Sequence, residues 1–131
     1  IAWAGDSRAY LGRGDDFEQV NDDHSFVAEL VRAGTIDEEE AESHPAANVV
    51  TRAVGGDERL CVDYQFEDWQ VGDRLMLCSD GLSKELPKDR LGQLLREAAT
   101  PQEACEALRD AVYEGRCSDN LSVIVVEAMA G

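Results

Sequence analysis

An α/β layered domain is the fold class this sequence predicts, and three observations point to it. Short apolar runs such as Ile1-Ala2-Trp3-Ala4, Leu75-Met76-Leu77 and Leu121-Ser122-Val123-Ile124-Val125-Val126 are bounded by Gly, Asp and Asn, as strands are. Between them lie stretches whose apolar residues recur with the helical period and carry start and stop signals. No internal repeat, low-complexity segment or interior linker divides the 131 residues, so they read as one domain, 1–131.

Taken in order, Ile1 to Ala4 and Arg8 to Leu11 predict two strands joined by a tight turn at Gly5-Asp6-Ser7, and Gly12 to Asp16 a loop. Phe17 to Val20 is a short strand. Asp22 or Asp23 can cap a helix whose apolar face is Phe26, Val27, Leu30 and Val31, with Gly34 as its stop. Thr35-Ile36-Asp37-Glu38 has the form of a capping box for a second short helix reaching about Ser43, where His44-Pro45 ends it. Leu60 to Phe66 and Arg74 to Ser79 form the next strand pair, separated by the turn Val71-Gly72-Asp73. Leu91, Leu94, Leu95 and Ala98 mark a third helix. Thr100-Pro101-Gln102-Glu103 starts a fourth, since Thr caps, Pro suits the first turn, and Glu follows three residues after the cap. Leu121 to Val126 closes the fold as an apolar strand expected to be covered on both faces.

Composition narrows the function. Twelve Lys and Arg against 28 Asp and Glu give a formal charge of −16, which repels nucleic-acid backbones and anionic lipid and argues against both as partners. Acidity also suits divalent cations and solvated helix faces; Asp37-Glu38-Glu39-Glu40 belongs to the second kind, at the start of a helix where the dipole favours negative charge. Cys61, Cys78, Cys105 and Cys117 have no Cys-x-x-Cys spacing and read as reduced thiols of a cytoplasmic protein. No apolar run reaches the length of a membrane span. The chain opens directly in an apolar strand without Met, which suggests a piece of a longer protein.

Three strand ends carry an acid: Asp6 in Gly5-Asp6-Ser7-Arg8, Asp80 in Cys78-Ser79-Asp80-Gly81-Leu82, and Asp119 in Ser118-Asp119-Asn120. If the strands lie side by side, these carboxylates can converge at one rim, and like charges held that close need a cation. An all-oxygen set selects Mg²⁺ or Mn²⁺ over Zn²⁺. Two such ions can activate a water and clamp a phosphoryl oxygen, the chemistry of phosphate ester hydrolysis. Each junction also reads as an ordinary turn with local backbone bonds, and spacing alone does not separate the two readings. His24 and His44, beside helix ends, fit capping or loop packing better than general-base catalysis. No nucleophile elbow, P-loop or dinucleotide fingerprint is present, and Cys78 ends an apolar strand where a thiol is inert.

Read together, Ala4-Gly5-Asp6-Ser7-Arg8-Ala9-Tyr10-Leu11, Asp23-His24-Ser25, His44-Pro45 with Asn48-Val49-Val50-Thr51-Arg52-Ala53-Val54-Gly55, Leu77-Cys78-Ser79-Asp80-Gly81-Leu82 and Ser118-Asp119-Asn120-Leu121-Ser122-Val123 resemble, in order, the bacterial metal-dependent protein phosphatases, the PPM or type 2C serine/threonine phosphatases. The resemblance implies an α+β fold, a β-sandwich of antiparallel sheets flanked by helices. It implies hydrolysis of phosphoserine and phosphothreonine in proteins by a metal-activated water, with two core Mn²⁺ or Mg²⁺ ions and a third held more weakly. By the same resemblance Asp80 is a ligand of a core metal that also touches the third ion, Asp119 another core ligand, and Asp6 a third-ion ligand. No side-chain nucleophile is needed. The stretch 22–56 corresponds to the flap beside the active site. Partners implied are phosphorylated Ser/Thr proteins, with a cognate kinase and its substrates.

Two family motifs, Arg-x-x-Asn-Glu-Asp and Asp-Gly-x-Gly-Gly, are absent from these 131 residues. They supply the bridging Asp, a carbonyl ligand and a phosphate-binding Arg. The expectation is a C-terminal portion lacking its N-terminal strands, catalytically incomplete alone and prone to self-association through exposed sheet edges. The competing expectation is a non-catalytic phosphatase-like module that binds or regulates a partner.

Overall fold

The computed structural model describes residues 1–116 and 118–131, so the reading of Cys117 lies outside the described residues. The backbone forms two compact units, one of residues 1–6 and 22–65, the other of residues 7–21 and 66–131.

The second unit is built on a four-stranded antiparallel sheet. β2 (Arg8–Arg13) and β3 (Asp16–Gln19) form a hairpin over Gly14-Asp15, β5 (Arg74–Cys78) pairs with β2, and β6 (Val123–Glu127) pairs with β5, giving the order β3-β2-β5-β6. Strand alternation sorts the side chains. Tyr10, Met76, Cys78, Val123 and Val125 share the face that meets α4 (Lys88–Glu97) and α5 (Pro101–Tyr113), where Leu91, Leu95, Ala104, Leu108 and Val112 complete the core. Tyr10 and Phe17 stack at 4.9 Å between ring centres. Arg74 ties the layers together: its guanidinium pairs with Glu127 across the strands and donates to the carbonyls of Leu95, Ala98 and Ala99. Those carbonyls end α4, where positive charge is favoured.

A turn closed by an ion pair between buried Asp73 and half-buried Arg13 leads into β5. Asp73, 2% exposed, accepts two bonds from the Arg13 guanidinium, at 2.9 and 2.7 Å, and a third from the Gln70 N–H at 2.8 Å. The Arg13 bond, and less the Gln70 bond, hold its carboxyl below the usual aspartate range against the opposing effect of burial.

The helix signals at Thr100 and Pro101 hold, with the Thr100 side chain accepting from the Glu103 N–H. β6 departs from expectation. It is an edge strand, covered on one face only, with Ile124 and Val126 exposed on the other. Length and apolar content alone do not say whether a strand has a second neighbour.

The first unit holds β1 (Ala2–Trp3), α1 (Phe26–Arg32), α2 (Glu38–Ser43) and β4 (Asp63–Tyr64). Here the predicted pairing is wrong. β1 does not form a hairpin with the strand at Arg8; it pairs antiparallel with β4, so of the run Leu60 to Phe66 only Asp63 and Tyr64 are strand, and their partner is β1 and not Arg74 to Ser79. The reason lies at Gly5, whose φ of 141° and engaged backbone groups take the chain out of a hairpin path. Caps also shift. Ser25, not Asp22 or Asp23, caps α1 by accepting from the Ala28 N–H, and Asp37 with Glu40 forms the reciprocal capping box of α2 in place of Thr35. Both corrections follow one rule: of several candidate caps, the one adjacent to the first helical turn wins.

Candidate functional site

The junction after β5 is not a plain turn. Ser79 is the N-cap of a one-turn helix, α3 (Asp80–Ser83), which puts Asp80 in its first turn. The start of this helix is pinned to the segment before β6: the Ser79 N–H donates to the Ser122 carbonyl at 3.0 Å, and the Ser122 N–H donates back to Ser79 Oγ at 3.0 Å. Gly81, fully buried, lies against the Asn120 carbonyl so closely that a Cβ would collide with it. The segments carrying Asp80 and Asp119 are therefore neighbours within the second unit, as the side-by-side placement of β5 and β6 predicts. Asp119 is exposed, with its Oδ1 accepting the Asn120 N–H at 2.7 Å. Asp80 is half-buried, and its Oδ2 accepts the Lys84 ammonium at 3.0 Å.

Asp6 belongs to the first unit, half-buried in the bend after β1. The residue before it is held on both sides by one histidine. His24 N–H donates to the Gly5 carbonyl at 2.9 Å, and the Gly5 N–H donates to His24 Nδ1 at 3.1 Å. An N–H only donates, so Nδ1 is the acceptor nitrogen and the Nε2–H faces Asp63 Oδ2 at 2.8 Å. Trp3 stacks on the imidazole at 5.7 Å and anchors its own indole N–H on the Asp22 carbonyl. Arg52 donates to the other Asp63 oxygen at 2.9 Å. The His24 bond, and then the Arg52 bond, hold the Asp63 carboxyl below its usual range.

His24, only 2% exposed, is thus a buried hydrogen-bonding centre and not a helix cap. Its link to Asp63 spans 39 positions, and nothing local in the sequence signals it. His44 fits its predicted role in loop packing, with Nδ1 accepting the Ala46 N–H at 3.0 Å and its ring tilted against Phe26.

Cys78 is buried, as expected of an inert thiol, while Cys61 is exposed outside any strand; neither forms a disulfide, nor does Cys105. Among the described residues no group of three or more His, Cys, Asp or Glu side chains is disposed to hold a metal ion. The donor chemistry nonetheless suits a hard divalent cation. Asp80 and Asp119 are accessible carboxylates, and Asp80 already holds one cation in the Lys84 ammonium. No helix among the described residues is long and apolar enough to cross a membrane.

No family model matches the chain. Individual proteins do. The serine/threonine phosphatase stp of Listeria innocua is 37% identical over 127 residues, 97% of this chain and 50% of the relative. The solved structure of PppA, described as a key regulatory component of T6SS in Pseudomonas aeruginosa, superposes with a TM-score of 0.87 at 37% identity, covering 98% of this chain and 51% of that one. The chain belongs to the PPM serine/threonine phosphatase family. It corresponds to a C-terminal part of such phosphatases and spans about half the length of the relatives it matches. The PPM likeness extends to a catalytic domain of PstP solved with two manganese ions, with a TM-score of 0.83 at 30% identity over 98% of this chain and 53% of that one. The antiparallel sheets with flanking helices are the PPM fold over this portion.

Proposed function

We propose that the protein containing this chain hydrolyses phosphoserine and phosphothreonine esters in proteins, with Mn²⁺ or Mg²⁺, and that Asp80, Asp119 and Asp6 are among its metal ligands. The observation that carries this reading is likeness to serine/threonine phosphatases along nearly the whole chain, including one solved with two manganese ions. When bound, the cation supplies Lewis acidity, lowering the pKa of a coordinated water and drawing charge from the phosphoryl oxygens. The chain's own residues supply carboxylates for Asp80 and Asp119, on segments held by the Ser79 and Ser122 bonds, and keep them accessible. The stretch 22–56 acts as a flap that governs substrate access, and the substrates are the phosphorylated products of a partner kinase. A soluble, cytoplasmic protein is the setting this implies.

The test is hydrolysis of a phosphopeptide by the full-length protein in Mn²⁺. Asp80→Asn or Asp119→Asn should nearly abolish turnover; near-normal rates would remove that residue from the ligand set. One observation favours a second reading for the 131 residues alone, a phosphatase-like binding module: they lack a ready group of three metal-ligating side chains among the described residues. Partner capture by a catalytically dead full-length protein would favour that reading.

A further inference from the structure

His24 stands out as a buried, fully engaged histidine that the proposed chemistry does not use. Its ring and backbone hold both polar groups of Gly5, the residue directly before Asp6. Gly5 has a φ of 141°, open to glycine but rarely adopted by L side chains; glycine alone does not select it from the many conformations it can take, and the bonds to His24 do. The ring cannot turn away without cost. Trp3 covers one face, Asp63 takes the Nε2–H, and Arg52 fixes Asp63 in turn.

We infer that His24 is a positioning residue for Asp6: through the Gly5 N–H and carbonyl it sets the direction in which the Asp6 carboxylate leaves the backbone. This rests on the reading of Asp6 as a metal ligand. Groups that orient a ligand from behind affect metal affinity by about 10- to 100-fold when removed. A role in packing alone would lower stability and leave the ion untouched.

Two substitutions at His24 separate the bonds it makes. Asn carries an oxygen where Nδ1 stood and can still accept from Gly5, while losing Asp63. Gln reaches toward Asp63 and leaves the Gly5 N–H without its acceptor. Full-length protein is titrated with Mn²⁺ by calorimetry, and unfolding of each metal-free variant is recorded in parallel. Asp6→Asn is expected to weaken one Mn²⁺ ion by about tenfold or more, His24→Gln to reproduce the loss on the same ion, and His24→Asn to stay within about threefold of the parent. If Asp6→Asn weakens the ion but His24→Gln does not, the positioning role is overturned and the ligand assignment stands. If Asp6→Asn leaves every ion unchanged, both are overturned. Should His24→Gln fail to fold, His24→Leu, which fills the same buried space and cannot accept from the Gly5 N–H, carries the test: weakening of the same ion supports the role, and unchanged binding overturns it.

Discussion

Gly81 and Asn120 touch backbone to backbone, and the space between them is too small for a methyl group. The contact joins the start of α3 to the segment that feeds β6, beside the paired bonds of Ser79 and Ser122. Gly81→Ala must therefore push these segments apart, and overpacking of this kind costs about 1–3 kcal/mol. In the full-length protein the expected outcome is a lower unfolding temperature together with weaker Mn²⁺ binding, since Asp80 and Asp119 lie on the two displaced segments. Unchanged melting and unchanged calorimetric titration would show that the segments yield freely and that the glycine has no such role.

The Asp73–Arg13 pair makes a pH-dependent prediction. The Asp73 carboxyl titrates lower in the folded chain than in the unfolded one, mainly because of Arg13. The unfolded state then binds more protons between the two values, so the stabilisation is present above an ordinary aspartate pKa of about 4 and is lost as pH falls through the lower, folded value. Asp73→Asn should lower the unfolding temperature at pH 7, and the gap between variant and parent should narrow as the melts are taken to acid. A gap that stays constant down to pH 2 would assign the effect to shape and not charge.

What the sequence disclosed and what it hid divide along a physical line. Signals read within one turn or one strand, such as Thr100-Pro101 at α5 or the short apolar run of β5, survive because the backbone and its nearest neighbours decide them. Pairings decided at a distance were not legible: β1 with β4, the open face of β6, and the His24–Asp63 bond each depend on a partner that no local pattern names. The acid junctions fell between. That Asp80 and Asp119 sit on neighbouring segments followed from strand order, but Asp80 as part of a helical turn did not, because Ser-Asp-Gly is equally good turn chemistry.

The isolated 131 residues should show little phosphatase activity in Mn²⁺ and should self-associate. Leu11, Leu75, Leu77, Ile124 and Val126 line the sheet face away from α4 and α5, with Ile124 and Val126 exposed, and β6 leaves one strand edge unpaired within its sheet. A second copy offers the same apolar face and edge. Sedimentation velocity should find a concentration-dependent dimer that Val126→Lys weakens. A monomer with robust turnover would overturn both halves of the prediction.

Lys84 supplies a finer test of Asp80. Its ammonium, one turn along, pairs with the Asp80 Oδ2 at 3.0 Å, so a cation taken up by that oxygen must displace it. The pair is half-exposed, and i,i+4 pairs of this kind are worth about 0.3–0.5 kcal/mol, which corresponds to about a twofold change in affinity. Lys84→Gln in the full-length protein should therefore lower the half-saturating Mn²⁺ concentration by about twofold, and raising the ionic strength should shrink the difference between variant and parent. Asp80→Asn should erase that difference altogether, since the carboxylate for which lysine and metal compete is then gone. If Lys84→Gln instead weakens Mn²⁺ binding, the ammonium supports the site in some other way, and competition for Asp80 is not its role.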